Sequence, residues 1–410
     1  MGESGEERVA ARAERWLTPG VRGIGAASLL SDLGHEVPTA LLPSLLTATL
    51  GAPAGALGLI EGLGDGLAGG ARLVGGALAD DPRRRRSVAV GGYATTAVLS
   101  ALIGVAGAVW QVGVLRAGAW AARGLRVPAR NALLADVVPA GAYGRAYGFE
   151  RAMDNLGAIG GPLLALGLVA LVGVRTAIMV SVVPGLLAAL AIVYAVAHIR
   201  APSRSERAPI RLRVRPVLRV GLGWLLGAIA AFEAGNVAAT LLILRATELL
   251  TPGHGRIVAV RLALVCYTVY NLAATLASVP AGRLADRVSP RLALAGGVAC
   301  FLLAYLGLAG GGQLAMLAIW FAVAGVAIGA VETAEHAAVA AAAPSTLRGS
   351  AFGLVAAVQS FGNLAASALA GLLWTVASPR LAFVYLACWM ALALAALLLG
   401  RLRAPVVRRS

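Results

Sequence analysis

The chain has 410 residues, of which 59% are hydrophobic and only 13% are charged. Soluble domains carry about twice that charged fraction, so the composition excludes an ordinary soluble enzyme. All 35 basic residues are arginine and the formal net charge is +16. Many of these arginines lie in short connections without interleaved aromatic residues, which excludes a nucleic-acid-binding surface.

Apolar runs recur along the whole chain. Each is roughly 20 residues or longer, the length that a helix needs to cross the hydrocarbon core of a bilayer. They predict an all-α membrane protein with twelve transmembrane helices. The predicted spans are 21–47, 54–79, 87–109, 111–137, 146–172, 175–198, 217–247, 257–284, 291–310, 312–342, 351–376 and 380–400.

The spans form two groups of six, because a linker rich in arginine and proline separates the sixth from the seventh. We therefore expect two pseudo-symmetric six-helix bundles. The predicted boundaries are an N-terminal segment 1–20, a first bundle 21–199, a linker 200–216, a second bundle 217–400 and a tail 401–410.

Connections with arginine alternate with connections that have none. Arginines fill 83–86, the linker and the tail, whereas the connections around 48–55 and 108–113 carry none. Membrane proteins retain basic loops on the cytoplasmic side. We therefore expect a multi-pass protein of the cell membrane, with the linker, the tail and both termini in the cytoplasm.

The two halves resemble each other at an offset of 205 to 206 residues. Gly76 and Asp80 after the second span recur as Gly282 and Asp286 after the eighth, and Gly144 before the fifth span recurs as Gly349 before the eleventh. Duplicated halves are typical of secondary transporters, whose substrate site lies between the repeats.

These repeated segments resemble the signature of the major facilitator superfamily between spans two and three, which reads roughly G-x-x-x-D-[RK]-x-G-[RK]-[RK]. The second copy keeps Gly282, Asp286 and Arg287, whereas the first copy keeps Gly76 and Asp80 but departs from the pattern afterwards. The resemblance covers essentially the whole chain. It implies two six-helix bundles that rock about a central cavity. We predict a gate at the cytoplasmic end formed by Gly76, Asp80, Gly282, Asp286, Arg287 and Glu335.

In the fifth span, Gly157, Gly161 and Pro162 resemble the antiporter motif of the same superfamily. That similarity implies export by exchange, commonly against protons. A small-x-x-x-small step followed by proline also gives tight helix packing and a kink, so a purely structural role remains open. Short segments around Asp32, Glu61 and Asp154 are similar to a bacterial and archaeal branch of the superfamily.

Ionisable side chains inside spans cost about 2.5–3.5 kcal/mol on insertion scales, so each is a functional candidate. Asp32 and Glu36 lie four residues apart and share one helix face. With Asp154 they are the predicted proton-coupling residues. For Glu61 and several arginines we favour buried ion pairs. Because the neutral Gln359 stands at the position that repeats Asp154, we expect proton handling to be concentrated in the first half.

Further polar residues in the spans are candidates for the substrate cavity. The fourth span contributes a stripe of arginines, and the second half contributes acids and amides. The predicted cavity residues are His35, Arg116, Arg123, Arg151, Glu233, Asn236, Gln359 and Asn363.

Together these features predict a secondary active transporter that exports a small molecule in exchange for protons by alternating access. An importer or exchanger of a small organic or phosphorylated anion, using the fourth-span arginines, is an alternative. A non-transporting membrane sensor with the same fold is another. The sequence contains no nucleophile–base pair or phosphate loop, so we expect no enzyme activity and no cofactor. His35 lacks a second histidine to complete a metal site, and we expect a monomer in the bilayer.

Overall fold

The computed structural model describes residues 16–199 and 210–399. Over these residues the chain is helical, and no strand occurs in them. The predicted tail, most of the N-terminal segment and residues 200–209 of the predicted linker lie outside the described residues.

The first half consists of six helices. They are α1 (Pro19–Ser44), α2 (Ala54–Ala79), α3 (Pro82–Leu102), α4 (Val109–Val137), α5 (Tyr143–Val180) and α6 (Val182–Ala197). Helix α5 is interrupted at Gly173, whose φ of 76° is one that glycine adopts without steric cost. The fifth span ends and the sixth begins at this residue.

The second half repeats this arrangement with one additional break. Its helices are α7 (Val214–Glu233), α8 (Ala239–His254), α9 (Arg256–Arg287), α10 (Pro290–Gly310), α11 (Leu314–Ala342), α12 (Arg348–Val376) and α13 (Pro379–Leu399). Helices α7 and α8 together make the seventh span.

The seventh span is therefore not the continuous helix 217–247 that the hydrophobic run predicts. The helix stops after Glu233, and α8 begins at Ala239. Gly235 lies against α13 so closely that a Cβ on it would be 2.7 Å from Trp389 Cβ. Glycine is a poor helix former, and tertiary packing at this point replaces the helical conformation.

Local sequence signals start two equivalent helices. Asp81 caps α3 by accepting a hydrogen bond of 2.9 Å from the backbone N–H of Arg83, and Pro82 follows as the first helical residue. Ser289 caps α10 in the same way, with Pro290 after it. Asp81 stands where the family signature usually has a basic residue, and in this chain it acts as a helix cap.

Eight described stretches are long and apolar enough to cross a membrane by length and composition. Helices α1, α2 and α4 are not among them. These three helices carry many of the ionisable side chains, which lower the mean hydropathy.

The two halves touch at one end of the molecule and diverge at the other. The touching end carries the connections around 80–86, 138–143, 287–290 and 343–348, and we call it the basic end. Along α2, a Cβ on Gly76 would lie 2.7 Å from the carbonyl oxygen of Gly349 in α12. A Cβ on Gly62 would meet nothing within 4 Å. The space between the halves therefore opens at the far end.

Candidate functional site

Glycines bring the two halves into contact at the basic end. A Cβ on Gly144 at the start of α5 would lie 2.1 Å from the carbonyl oxygen of Gly282 in α9, and the Gly76–Gly349 contact between α2 and α12 is its counterpart in the repeat. Only glycine permits backbones to approach this closely. The repeated motif glycines therefore form two equivalent contacts between the halves.

The motif aspartates bind the helix starts of the opposite half. Asp286 accepts hydrogen bonds from the backbone N–H groups of Gly144 at 2.6 Å and Arg145 at 3.0 Å, and from Arg145 Nε at 2.9 Å. Asp80 accepts from the backbone N–H of Ser350 at 2.8 Å and from its hydroxyl group. Helix N-termini attract anions, so both aspartates hold the basic end closed. Burial raises the pKa of Asp80, while the hydrogen bonds from Ser350 lower it.

A second set of contacts surrounds Asp136, just before the C-terminal end of α4. Arg348 of the second half contacts its carboxylate at 3.1 Å and donates to the hydroxyl group of Tyr143 at 2.5 Å. Arg85 of α3 also pairs with Asp136 and is almost fully buried. Arg287, the remaining basic residue of the motif, is exposed at the C-terminal end of α9.

The motif that resembles an antiporter signature lies directly against α1. A Cβ on Gly157 would be 2.8 Å from Asp32 Cβ, and a Cβ on Gly161 would be 2.4 Å from Glu36 Cβ. Pro162 is exposed one residue further along α5. The glycine step therefore places α5 against the turns of α1 that carry the predicted proton-coupling carboxylates.

Arg123 of α4 contacts the ionisable face of α1. Its guanidinium lies 3.5 Å from Asp32 Oδ1 and 2.8 Å from His35 Nε2. His35 Nδ1 is 2.9 Å from the carbonyl oxygen of Ser31. A neutral ring that donates from Nδ1 and accepts at Nε2 satisfies both contacts. Glu36 Oε1 lies 3.3 Å from His35 Nε2, and about a quarter of the Glu36 side chain is exposed.

The other arginines of α4 are bonded within the first half. Arg116 pairs with Glu61 at 3.0 Å, and its guanidinium lies 3.8 Å above the ring of Trp120. Arg126 donates to Ser31 at 2.6 Å and stacks on Tyr93 rather than forming an ion pair. These contacts position α4 against α1 and α2.

Arg130 and Arg151 converge on Asp154. Arg130 contacts Glu150 at 2.7 Å and Asp154 at 3.6 Å. Arg151 contacts the other oxygen of Asp154 at 2.6 Å and reaches across to Glu332 of α11 at 3.2 Å. Asp154 therefore belongs to a network that joins the two halves.

Arg72 makes a further connection between the halves, between the basic end and the far end. Its guanidinium donates to the carbonyl oxygen of Ala356 at 2.9 Å and to the hydroxyl group of Ser360, both in α12. One turn nearer the far end, Phe361 lies 3.2 Å from the position of a Cβ on Gly69. Beyond this level α2 and α12 separate, so these residues line the bottom of the opening.

Amides and carboxylates meet in the second half. Asn236, in the break between α7 and α8, donates to Glu233 at 3.0 Å. Asn363 of α12 donates to the carbonyl oxygen of Asn236 at 2.8 Å. Gln359 donates to Glu335 at 2.9 Å. Glu335 is fully buried in this cluster, at the level of Gln359.

The structure thus brings the predicted residues into three places. Asp32, His35, Glu36 and Arg123 share one cluster, and Asp154 and Arg151 share the adjoining one. The amide–carboxylate cluster of the second half is separate. Their roles in coupling and substrate binding stay predictions. Sequence reasoning did not select Asp136, Arg348 and Ser350 of the closed end. Arg348 and Ser350 flank Gly349, so the repeat itself could have drawn attention to them.

Solved structures of transporters share this fold. The similarity to the proton:xylose symporter XylE has a TM-score of 0.72 at 14% identity and covers 95% of this chain and 96% of that chain. For the fucose:proton symporter FucP of E. coli the TM-score is 0.69 at 16% identity, with 94% and 99% covered. For the human organic anion transporter TETRAN it is 0.69 at 15% identity, with 96% and 100% covered. At these identities the similarity shows the fold alone.

Two prokaryotic relatives match over nearly their whole length. An uncharacterised protein of Mycobacterium tuberculosis is 29% identical over 94% of this chain and 93% of its own length. An uncharacterised MFS-type transporter of Methanocaldococcus jannaschii is 28% identical over 91% of this chain and 92% of its own length.

The protein-family model described as Major Facilitator Superfamily matches residues 24–249 and 223–410, which together cover nearly the whole chain. This match and the shared fold confirm the predicted all-α membrane architecture of two related six-helix bundles. The family resemblance drawn from the repeated loop motifs is confirmed as well. The chain belongs to the major facilitator superfamily of membrane transporters.

Proposed function

We propose that the protein exports a small molecule across the cell membrane in exchange for protons, with its basic end in the cytoplasm. The observation that carries this proposal is the contact between α5 and α1. Gly157 and Gly161 lie directly against the turns of Asp32 and Glu36. Movement of α5 relative to α1 therefore changes the surroundings of both carboxylates.

The charge network supports coupling between proton binding and movement of the halves. Asp32 and Asp154 interact with each other, and Arg123 acts on both. Two neighbouring carboxylates favour a shared proton when the arginine moves away. Because Arg151 joins Asp154 to Glu332 of the opposite half, a change of protonation at Asp154 alters a contact between the halves.

Alternating access requires the closed basic end to open and the far end to close. The closed end depends on the glycine contacts and on hydrogen bonds to Asp80 and Asp286, which break without any change inside either bundle. Rocking of two bundles about the level of Arg72 and Arg151 would expose the central clusters to each side in turn.

An anion importer or exchanger is less well supported. Arg116 is nearly fully buried and paired with Glu61, and Arg130 is paired with Glu150. Arg123 is more accessible, with 28% of its side chain exposed, but it contacts Asp32. A bound carboxylate or phosphate would have to displace these acids.

The test uses purified protein in proteoliposomes loaded with a pH-sensitive dye. An imposed pH gradient should drive uptake or release of a compound from a panel of ethidium, chloramphenicol, arsenite and inorganic phosphate, with matching proton movement. Asp32→Asn, Glu36→Gln and Asp154→Asn should lower proton-coupled flux at least tenfold, whereas Glu248→Gln, an exposed carboxylate of α8, should not.

Full proton-dependent flux in all three variants would rule out the proposed coupling residues. Flux of phosphate that is insensitive to the pH gradient would support the anion exchanger instead. A protein that moves none of a wide range of compounds would support the sensor alternative.

A further inference from the structure

The break in the seventh span leaves a buried acid at a helix C-terminus. Glu233 is the last residue of α7, and it is 3% exposed. The C-terminal end of a helix carries partial negative charge, which disfavours a second negative charge beside it. Glu233 accepts a hydrogen bond from Asn236, but no basic side chain lies within 4.0 Å of it in the described chain.

Glu335 of α11 contacts the same helix as Glu233, α12, and one of its oxygens has no hydrogen-bond partner in the described chain. Glu335 is fully buried, and its Oε2 accepts a hydrogen bond from Gln359. Its Oε1 has no hydrogen-bond partner among the described residues. Both acids lie against α12: Gln359 donates to Glu335, and a Cβ on Gly362, one turn further along this helix, would be 2.5 Å from Glu233 Cβ. A buried carboxylate oxygen without a partner costs about 1–3 kcal/mol, and more if the group is charged.

The charged groups around this pair do not neutralise it. Glu332 adds a third carboxylate on α11, and Arg151 of α5 and Arg72 of α2 are the arginines that act on the cluster. Arg151 is already shared between Asp154 and Glu332. The neutral groups around the pair are Tyr305 of α10 and the amides Asn236, Gln359 and Asn363.

The first half is different in this respect. The carboxylates buried within its spans, Asp32, Glu150 and Asp154, each lie within 4.0 Å of an arginine nitrogen. The second-half pair therefore carries an excess of negative charge in a dry environment, where an uncompensated charge is costly.

We propose that Glu233 and Glu335 form a proton-binding site in the second half and hold one proton between them in this conformation. The proton bound to Glu335 Oε1 removes the negative charge from the oxygen that lacks a donor, and it removes the repulsion from Glu233. A proton is small enough to occupy a pair that is 3% and 0% exposed, whereas an organic cation is not. This site is additional to the first-half carboxylates, and it does not depend on the direction of transport.

Infrared difference spectroscopy on the full-length protein in lipid nanodiscs tests this site without any substrate. Protonated carboxylic acids absorb in a C=O stretching band that carboxylates lack. At neutral pH, Glu335→Gln should lower the intensity of this band by the contribution of one protonated acid. Glu233→Gln should remove or shift the same contribution. The double variant should lose no more than the single ones. Glu248→Gln should leave the band unchanged.

Glu335→Asp provides a second measurement because it keeps the acid, and it should shift the band without abolishing it. An unchanged band in Glu335→Gln, or in Glu335→Asp if the glutamine variant does not fold, would overturn the proposal. Loss of two acid equivalents in the double variant would also overturn it, because the pair would then not share one proton. Failure of proton-coupled export would leave these spectra unaffected, so the two proposals are tested separately.

Discussion

At the scale of single residues, the buried arginines of the first half differ in what they bind. Arg116 and Arg130 each neutralise a carboxylate, Arg126 lies on an aromatic ring, and Arg151 reaches the opposite half. Residue type and burial do not distinguish an arginine that stabilises one bundle from an arginine that connects the two bundles. Substitution of an arginine within one bundle should therefore affect mainly the stability of the protein, and substitution of Arg151 should affect mainly the movement of the halves.

Arg130→Ala should destabilise the protein strongly. Arg130 is 6% exposed and lies 2.7 Å from Glu150, which is 1% exposed, so its removal leaves a buried carboxylate uncompensated. Losing one partner of a buried ion pair costs about 3–5 kcal/mol. Thermal unfolding in detergent should show a clearly lower midpoint, while Arg261→Ala, an exposed position of α9, should change it little. An equal midpoint in both variants would contradict the ion-pair assignment.

At the scale of helices, glycine spacing decides which pairs of helices meet closely. Gly144 and Gly282 permit contact of α5 with α9 at the basic end. Gly157 and Gly161 on the same α5 permit contact with α1 instead. One helix therefore forms both the contact between the halves and the contact with the predicted coupling residues, so its position affects both.

Gly144→Ala should weaken the closed basic end. The added Cβ would lie 2.1 Å from the carbonyl oxygen of Gly282, and α5 must move away from α9. Overpacking of this kind costs about 1–3 kcal/mol. Spin labels at exposed positions Ala140 and Arg283 should report a population with a longer distance. Gly58→Ala, where a Cβ meets nothing within 4 Å, is the matched control and should leave the distances unchanged.

At the scale of the whole molecule, the halves touch at the basic end and separate at the far end. Gly62 lies on the same side of α2 as Gly69 and Gly76, because these positions are seven residues apart, and a Cβ placed there would meet no other described part of the chain within 4 Å. Arg211 is exposed beside the start of α7 at the basic end. We expect that end to lie in the cytoplasm, because the positive-inside rule predicts basic loops on that side.

Thiol labelling of intact cells should test this orientation. In a protein whose cysteines are replaced by serine, Gly62→Cys should react with a membrane-impermeant reagent from outside. Arg211→Cys should react only after the membrane is permeabilised. The reverse pattern would show that the basic end faces outwards, and protection of Gly62→Cys in intact cells would show that another conformation dominates.

The sequence by itself determined the membrane architecture, the repeat and the motif glycines. This was possible because a helix in lipid must satisfy its own backbone hydrogen bonds, so each span is a local and apolar feature. The offset between the halves likewise needs only the order of residues. The face shared by Asp32 and Glu36 follows from helical spacing alone.

Only the tertiary structure decided which charges meet, where the seventh span breaks and which end is closed. Asp32 contacts Arg123, and Arg151 contacts Glu332. In both pairs the partners lie on different helices, and no local sequence pattern connects them. The break after Glu233 depends on packing of Gly235 against α13. Glu233 and Glu335 lie far apart in the chain, and only the tertiary structure shows that both lie against α12.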